Sequence, residues 1–296
     1  MNAVDSNAVE TRLTELNLVL SPAINYRLET MFPKITGMFA NGAIKKKFKL
    51  VQRIEPLMEE MLLDNEEVLF ISKGNQSSVS EQIFMGVLWA QTINHTVVIL
   101  TNLRMLCIRT NGSGKPKRTF WSIYYSQIKE LKSTIFGNAK ICLKDGKNLN
   151  YSGFPKIDRN TMRQVFLDAY QLFEEKGFDP EVSQSREKLC GHCYEVVPKH
   201  DYECESCGAT FWKPMEIGVR SFVFPSWGDF VMKHYSVAFA EFFGFMFLLL
   251  LITISISEGE YVFAGILFII ANTSDALITA QIAAKGLHLK RVPEKV

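Results

Sequence analysis

The sequence lacks the short motifs that mark common catalytic sites. No G-x-S-x-G, H-E-x-x-H or G-x-G-x-x-G pattern occurs in its 296 residues, and the five histidines are scattered without a partnering pattern. The stretch 111–116 (NGSGKP) superficially resembles a phosphate-binding loop. However, Arg109 stands where that motif has its first glycine, and Pro116 stands where it ends in serine or threonine. We therefore expect a protein that is not an enzyme, because a hydrolase would have no nucleophile and base to support it.

The sequence also lacks a secretory signal and a strong net charge. Its first twenty residues contain Asp5, Glu10 and Glu15, and no basic segment is followed there by an apolar one. The formal net charge of +2 argues neither for a polyanionic partner nor against one. Any insertion into a membrane must therefore be directed by apolar segments elsewhere in the chain.

Two long apolar runs near the C-terminus flank the short polar turn 257–260 (SEGE). The first run, 237–256, has twenty residues and one carboxylate, which is about the length that a helix needs to cross a hydrocarbon core of about 30 Å. The second run, 261–284, brings the chain back. Because backbone polar groups cannot remain unpaired in lipid, the sequence predicts a two-helix transmembrane hairpin at 237–284. The alternative is a buried helical hairpin of a soluble domain, which two runs of this length disfavour.

The charges around the apolar runs predict which way the hairpin faces. Positive residues flank its two outer ends, whereas the turn between the helices carries only Glu258 and Glu260. By the positive-inside tendency, the turn is external and both termini are cytoplasmic. We therefore expect an integral membrane protein with the lipid bilayer as a partner. The flanking residues are Lys233 and His234 before the hairpin, and Lys285, His288, Lys290, Arg291 and Lys295 after it.

Four of the six cysteines form two C-x-x-C pairs that are separated by ten residues. Each pair can turn two thiolates toward one point, so the two pairs together supply the four sulfur ligands of a closed tetrahedral zinc site. Four thiolates leave no open position for a substrate, so the predicted Zn²⁺ is structural and stabilises a small module. Iron and a redox dithiol are the alternatives. The predicted ligands are Cys190, Cys193, Cys204 and Cys207, and their pattern resembles the short zinc ribbons of the rubredoxin-like group.

Between residues 68 and 154 the apolar period changes from helical to strand-like, with turn residues at Asn102-Leu103, 111–114 and Asp145-Gly146. An amphipathic helix follows at 157–176. This order predicts an α+β protein in which a small antiparallel barrel or sandwich is closed by a C-terminal helix. The expected strands are 68–72, 83–91, 96–101, 104–110, 119–125, 139–145 and 147–154.

The order of these elements resembles the bacterial pleckstrin-homology-like domains related to the GRAM group. The resemblance covers residues 55–177 and is carried by the stretches DNEEVLFISKG, VVILTNLRMLCI, WSIYYSQIKELKS and KICLKDGKNLNYSGF. It implies a binding or scaffolding module that is often tied to membranes. Lipid-binding domains of this kind collect phosphate with basic residues near the first loop between strands. The segment 74–103 has no lysine or arginine, so phosphoinositide recognition by that route is not expected.

A basic cluster near the N-terminus is interleaved with apolar residues. Such a segment can lie on an anionic leaflet, with about 1 kcal/mol contributed by each well-placed cation. A solvated helix face is the more ordinary interpretation of a charge run. No nucleic-acid partner is expected, because the cysteine-rich stretch 190–212 holds four acids and no basic surface that could follow phosphates. The residues of the N-terminal basic cluster are Lys45, Lys46, Lys47, Lys49 and Arg53.

Two carboxylates lie inside the apolar runs. Glu241 precedes Gly259 by eighteen residues and Asp275 follows it by sixteen, which places both about 24 to 27 Å from the turn at 1.5 Å per residue. A pair that shares a proton or docks a partner helix is one interpretation. The other is that both side chains extend to the inner headgroups. Small residues at the same level favour close helix packing and a possible homo-oligomer.

Upstream, residues 226–229 (SWGD) have the form of a helix N-cap with an acid three residues on.

We interpret the protein as a membrane-anchored, non-enzymatic cytoplasmic adaptor or scaffold with a pleckstrin-homology-like module that binds protein or lipid. The alternative is a regulatory subunit of a multimeric channel or transporter built from the hairpin, as the polar residues 272–275 suggest. The predicted boundaries are 1–54 for an N-terminal helical region, 55–177 for the pleckstrin-homology-like domain, 178–187 for a linker, 188–214 for the zinc ribbon, 215–236 for an interfacial linker, 237–284 for the hairpin and 285–296 for a cytoplasmic tail.

Overall fold

The computed structural model describes residues 5–133, 138–176 and 178–293, and within these ranges the chain has an α+β fold. The helices are α1 (Ser6–Glu15), α2 (Leu28–Met31), α3 (Ala40–Met61), α4 (Val79–Phe84), α5 (Val87–Ile93), α6 (Lys156–Lys176), α7 (Pro214–Val223), α8 (Trp227–Val231), α9 (Tyr235–Ser257) and α10 (Tyr261–Ala283). The strands are β1 (Asn25–Tyr26), β2 (Glu67–Asn75), β3 (His95–Thr101), β4 (Arg104–Thr110), β5 (Pro116–Tyr124), β6 (Ile128–Ser133), β7 (Ala139–Leu143), β8 (Asn148–Tyr151), β9 (Glu187–Leu189), β10 (Val196–Val197), β11 (Thr210–Phe211) and β12 (Leu289–Arg291).

Two sheets and one helix enclose the main core. A seven-stranded sheet has the order β1-β2-β3-β4-β5-β9-β10, a separate sheet has the order β6-β7-β8, and a bridge between Asn75 and Ser152 joins the two. All pairings are antiparallel except that of β1 with β2. Helix α6 closes the core because its apolar residues recur every three or four positions and so share one face. The helix contributes Met162, Val165, Phe166 and Ala169, which join the buried Trp121, Ile123 and Tyr151 of the two sheets.

The N-terminal helices cover the other face of the large sheet. Helix α3 buries Ile44, Val51, Ile54 and Met58 at helical spacing against residues of β2, β3 and β4. Helix α1 adds Val9 and Leu13 to the same cluster, and β1 pairs with the edge of β2. The predicted N-terminal helical region therefore packs on the large sheet as one layer of the folded unit.

One predicted strand is wrong. The run 83–91 (IFMGVLWAQ) forms parts of two short helices, α4 and α5. A capping box between Ser78 and Glu81 starts α4, and Gly86 separates the helices with a φ of 80°, a conformation that suits glycine. Ala90 and Ile93 are buried at a spacing of three, whereas Leu88 is 79% exposed. The other six predicted strands overlap β2, β3, β4, β5, β7 and β8.

Helices α9 and α10 form the long apolar hairpin. Each has 23 residues, and both are long and apolar enough to cross a membrane. Little of either helix is covered by the rest of the molecule, and large side chains such as Phe247 and Ile270 face outward. A core helix of a soluble protein would instead be mostly buried.

The predicted interfacial linker forms a second, shorter helical hairpin. Helix α7 packs against α10 where Gly218 approaches the backbone oxygen of Ala276, to which an added Cβ would lie 3.0 Å away. The chain turns at residues 224–226, and α8 returns beside α9. At the turn, Phe224 packs against Phe242 and Phe245 of α9, with ring centroids 6.0 and 5.3 Å apart. The short hairpin therefore lies along the ends of the long one that are farthest from the turn 257–260.

The chain that follows α10 returns to the cysteine-rich module. Strand β12 pairs antiparallel with β11, and the Trp212 backbone N–H donates to the His288 carbonyl at 2.8 Å. Thr119 of β5 also donates to the Leu287 carbonyl at 3.2 Å. Residues 285–293 thus form part of the folded unit. The predicted flanking residue Lys295 lies outside the described ranges.

Candidate functional site

The four cysteines of the two C-x-x-C pairs come together in space. The Sγ atoms of Cys190 and Cys207 are 3.7 Å apart, those of Cys193 and Cys204 are 3.5 Å apart, and all four lie within 4.8 Å of one another. In a tetrahedral site with metal–sulfur bonds of about 2.3 Å, neighbouring sulfurs are about 3.8 Å apart. The four thiols therefore fit one metal ion.

The two cysteine pairs have matching local backbones. Tyr194 and Gly208 each follow the second cysteine of a pair, and their φ angles are 64° and 67°. In each turn the residue at this position donates its N–H to the carbonyl of the first cysteine, at 3.2 Å for Cys190 and 2.7 Å for Cys204. This shared turn directs both thiols of each pair toward the centre of the site.

Burial makes the site depend on a positive charge. Cys190 and Cys204 lie in a small apolar cluster with Phe211 and Leu287. Burial raises the pKa of the Cys190 and Cys193 thiols because the charged thiolate is poorly solvated there. A bound cation would reverse this preference and hold the thiolate forms.

The cysteine module is joined to the large sheet at its edge. Strand β9 pairs with β5 and with β10, so Cys190 directly follows a strand of that sheet. Gly191 lies so close to the neighbouring chain that an added Cβ would be 2.7 Å from the Arg118 carbonyl oxygen. A larger residue would push the first cysteine pair away from the sheet.

A basic pocket lies between α3, β2, the β4–β5 turn and the start of α6. Its volume is about 600 Å³, and four of the five basic residues singled out in the sequence line it, while the fifth, Lys45, is exposed outside it. Sequence reasoning missed two further lining cations, because residues 34 and 73 reach the pocket only through tertiary packing. The lining cations are Lys34, Lys46, Lys47, Lys49, Arg53 and Lys73.

The positive charge of the pocket is only partly compensated. Asp158 is the acid among the lining residues, and its carboxylate accepts from Lys47 at 2.8 Å and from Ser72 at 2.6 Å. Burial lowers the pKa of Lys73, and the charges of Lys46 and Arg53 lower it further. The cations therefore repel one another, as expected of a site that takes an anion.

The pocket lies at the end of the sheet that carries the apolar helices. Its wall includes Gly112, where an added Cβ would stand 3.6 Å from the His95 ring. Two residues before His95, Ile93 clusters with Ile217 of α7 and Ile282 of α10.

The two carboxyl groups predicted as a polar pair meet a third. Asp229 of α8 is fully buried, and its carboxylate is the charge that acts most strongly on both Glu241 and Asp275. Its Oδ1 atom lies 2.9 Å from Nδ1 of His234. Ser226 is the N-cap residue of α8, as predicted, but it has a φ of 82° and its side chain caps no backbone N–H. The sequence pattern made Asp229 part of a cap and so concealed its place in the cluster.

Comparisons with known proteins add little. No family model matches the sequence, and no curated protein matches it. Among solved structures, the chain is similar to the C-terminal domain of an unknown protein from Leishmania infantum, over 43% of this chain and 98% of that one. The sequence identity is 14% and the TM-score is 0.27, a similarity that supports no conclusion about fold or function.

Proposed function

We propose that the protein is a membrane-anchored, non-enzymatic adaptor whose cytoplasmic module binds anionic lipid headgroups. The observation that carries this proposal is the basic pocket at the end of the sheet next to the apolar helices. Anionic lipids of a cytoplasmic leaflet attract such clusters by about 1 kcal/mol per cation near the surface. The lysines and the arginine of the pocket come mainly from α3. The pocket therefore does not depend on the segment 74–103, which lacks lysine and arginine.

The exposed apolar helices support the anchor. The folded module contacts the ends of α9 and α10 that carry the positive flanks, where Lys285 forms an ion pair with Glu81. The acidic turn at 258–260 lies at the other end of the hairpin. With the positive ends inside, both termini are cytoplasmic.

Exposed apolar residues next to the hairpin support close contact with the bilayer. Ile83, Val87, Leu88 and Trp89 of α4 and α5 all face solvent, although Met85 and Ile93 of the same segment pack toward the apolar hairpin. Apolar groups at this place suit the headgroup level of a membrane. The pocket would then be held within reach of lipid headgroups.

Two further parts of the proposal rest on the fold. The sheet β2–β5, the sheet β6–β8 and the closing helix α6 follow the order of a pleckstrin-homology-like domain, which supports a binding module. The four cysteines suit a structural Zn²⁺, because four thiolates close the coordination sphere. The metal would stiffen the connection between the sheet and the apolar helices.

The pocket is tested by reversing charges in the full-length protein purified in detergent micelles. The double variant Lys46→Glu/Lys49→Glu is expected to bind water-soluble short-chain phosphatidylserine at least about 30-fold more weakly, from about 1 kcal/mol for each lost cation. Lys45→Glu is the matched control, because Lys45 lies in the same helix but outside the pocket. An equal loss in both proteins, or no binding of the anionic lipid by the parent protein, would contradict the proposal.

A second candidate function is a regulatory subunit of a multimeric channel or transporter. The buried carboxyl groups between the helices favour it, since acids inside apolar helices often line ion pathways. The mass of the protein in lipid nanodiscs decides between the two functions. A monomer rejects the second candidate, whereas a closed homo-oligomer supports it.

A further inference from the structure

We propose that Asp229 and Glu241 form a proton-binding site in which the two carboxyl groups hold one proton between them, beside Asp275. The site lies where the short hairpin α7–α8 meets the inner ends of α9 and α10. It is separate from the basic pocket and does not depend on the adaptor function.

Three helices bring the carboxyl groups together. Asp229 comes from α8, Glu241 from α9 and Asp275 from α10. Close packing fixes α8, because an added Cβ on Gly228 would stand 2.4 Å from Thr279 Cγ2 and 2.5 Å from Ser221 Oγ. The carboxyl groups therefore cannot separate without moving a helix.

The unpaired oxygen atoms call for one proton. The Oδ2 atom of Asp229 and the Oε2 atom of Glu241 are both buried without a donor, although the two side chains are in hydrogen-bond contact. Two ionised carboxylates in contact repel each other, and each unpaired buried oxygen destabilises the fold. One proton between them makes one group a donor and the other an acceptor, which satisfies both atoms.

A serine outside the acidic group points to the same polar space. Ser226 is fully buried, its Oγ atom has no partner, and its backbone N–H lies near Asp275. The Ser221 hydroxyl lies near the Asp275 carboxyl group, whose Oδ2 atom is unpaired. The polar space therefore extends from Asp229 to Asp275.

The neighbouring basic groups do not neutralise the cluster. Burial lowers the pKa of His234 by more than its hydrogen bond to Asp229 and the charge of Asp229 raise it, and the charges of Lys117 and Arg109 lower it further. The neutral ring then donates from Nδ1 to the Asp229 carboxylate. His288 packs on His234 with ring centroids 6.3 Å apart. In the described part of the chain, no ion pair reaches Glu241 or Asp275.

The spacing of the groups favours a proton over a metal ion. Within the described ranges, only the four cysteines bring three or more ligand atoms of His, Cys, Asp or Glu within 4.8 Å of one another. The three carboxyl groups do not share a sphere of this size. A proton needs only the contact between Asp229 and Glu241.

Infrared spectroscopy of the full-length protein in nanodiscs tests the site directly, because a protonated carboxyl group has its own C=O stretch. We expect this band at neutral pH, its loss in Glu241→Gln, and its retention in the control Glu260→Gln at the exposed turn. Asp229→Asn removes the neighbouring negative charge and is expected to move the midpoint of the band to lower pH by about one unit or more. Helix content by circular dichroism and bound zinc show whether each variant folds.

Four outcomes would overturn the assignment. The first is absence of the band in the parent protein at neutral pH. The second is a band that persists in folded Glu241→Gln. The third is loss of the band on titration with Na⁺, Mg²⁺ or Ca²⁺ at constant pH, because the ligand would then be a metal ion and not a proton. A folded Asp229→Asn variant with an unmoved midpoint would show that Asp229 is not the partner.

Discussion

Tyr194 and Gly208 occupy equivalent positions in the two cysteine turns, but only the glycine adopts the positive φ of this turn without strain. Both have a positive φ, which is readily available to glycine and disfavours other residues by about 1 kcal/mol or more. Tyr194 offsets this cost by packing on Phe120, with ring centroids 5.6 Å apart. The sequence reveals the role of Gly208, whereas the matching conformation of Tyr194 depends on a contact with β5.

Gly208→Ala tests the turn at residue scale. We expect the free energy of unfolding to fall by about 1 kcal/mol and the bound metal to exchange faster, because alanine disfavours a φ of 67°. The change is measured by chemical denaturation together with the rate of metal release to a chromogenic chelator. An added Cβ would stand 3.4 Å from Pro293, so a steric clash does not dominate.

The control is Gly42→Ala in the exposed first turn of α3. Nothing lies within 4 Å of an added Cβ there, so alanine should raise stability by up to about 1 kcal/mol through helix propensity. Equal effects of the two substitutions would show that the backbone of Gly208 is not what limits the metal turn.

Site residues could be predicted where their spacing along the chain carries the chemistry. The two C-x-x-C pairs identify Cys190 and its partners because each pair is local. Asp229 was missed because its local pattern is that of a helix cap, and Lys73 because it joins the basic helix only after β2 packs against α3. Tertiary contacts of this kind leave no mark on a short stretch of sequence.

At the scale of elements, α4 and α5 show the same limit. Their apolar run suits a strand as well as a helix, and the capping box at Ser78 decides in favour of the helix. Helix α4 then contacts the chain just after α10 through the ion pair of Glu81 with Lys285. Glu81 is almost fully buried in this contact, and its carboxylate also accepts from the Ser78 N–H at 2.9 Å and from Asn94 at 3.3 Å.

Lys285→Met is predicted to loosen this contact. It leaves the buried Glu81 carboxylate without its cation, which destabilises folded proteins by about 3 kcal/mol. Unfolding of the solubilised protein and hydrogen exchange in α4 and α5 measure the effect. Lys132→Met is the control, because the pair of Lys132 with Glu130 is about half exposed, and exposed ion pairs contribute little to stability. Similar losses in both variants would contradict a special role for the Glu81 contact.

At the scale of the whole molecule, three buried or half-buried histidines lie between the sheet and the apolar helices. Burial is the main reason that the pKa of His95 falls to about 4 and that of His288 to about 3, and neighbouring positive charge adds to both shifts. Burial also lowers the pKa of His234. All three are therefore neutral in the folded protein at neutral pH.

Acid is predicted to destabilise this region. Each histidine binds a proton more readily in the unfolded chain, so its contribution to stability is fully present above its ordinary pKa of about 6.5 and is lost as the pH falls toward the folded value. The slope of unfolding free energy against pH below that point is expected to be about 1.4 kcal/mol per unit for each group.

Denaturation of His288→Gln at several pH values checks the assignment. The substitution should reduce the slope by about the contribution of one group. His200→Asn is the control, since His200 is exposed on the cysteine module and its positive φ is tolerated by asparagine. An unchanged slope in His288→Gln would place the acid sensitivity elsewhere.

The sequence divides the chain into consecutive segments, but the structure joins those segments across long distances. The apolar hairpin was predictable because its length and composition are local properties. The packing of α3 on the sheet and the pairing of β9 with β5 were not, because they depend on which surfaces meet after folding. For the same reason the sequence did not predict that β9 and β10 of the cysteine module form the edge of the large sheet.

The pairing of β11 with β12 has a consequence for biosynthesis. The two strands lie on either side of both long apolar helices in the chain, so β12 leaves the ribosome only after the hairpin has been made. The cysteine module therefore cannot complete its last strand until the hairpin has emerged and turned back. Closure of the cysteine module would therefore be a late step of maturation.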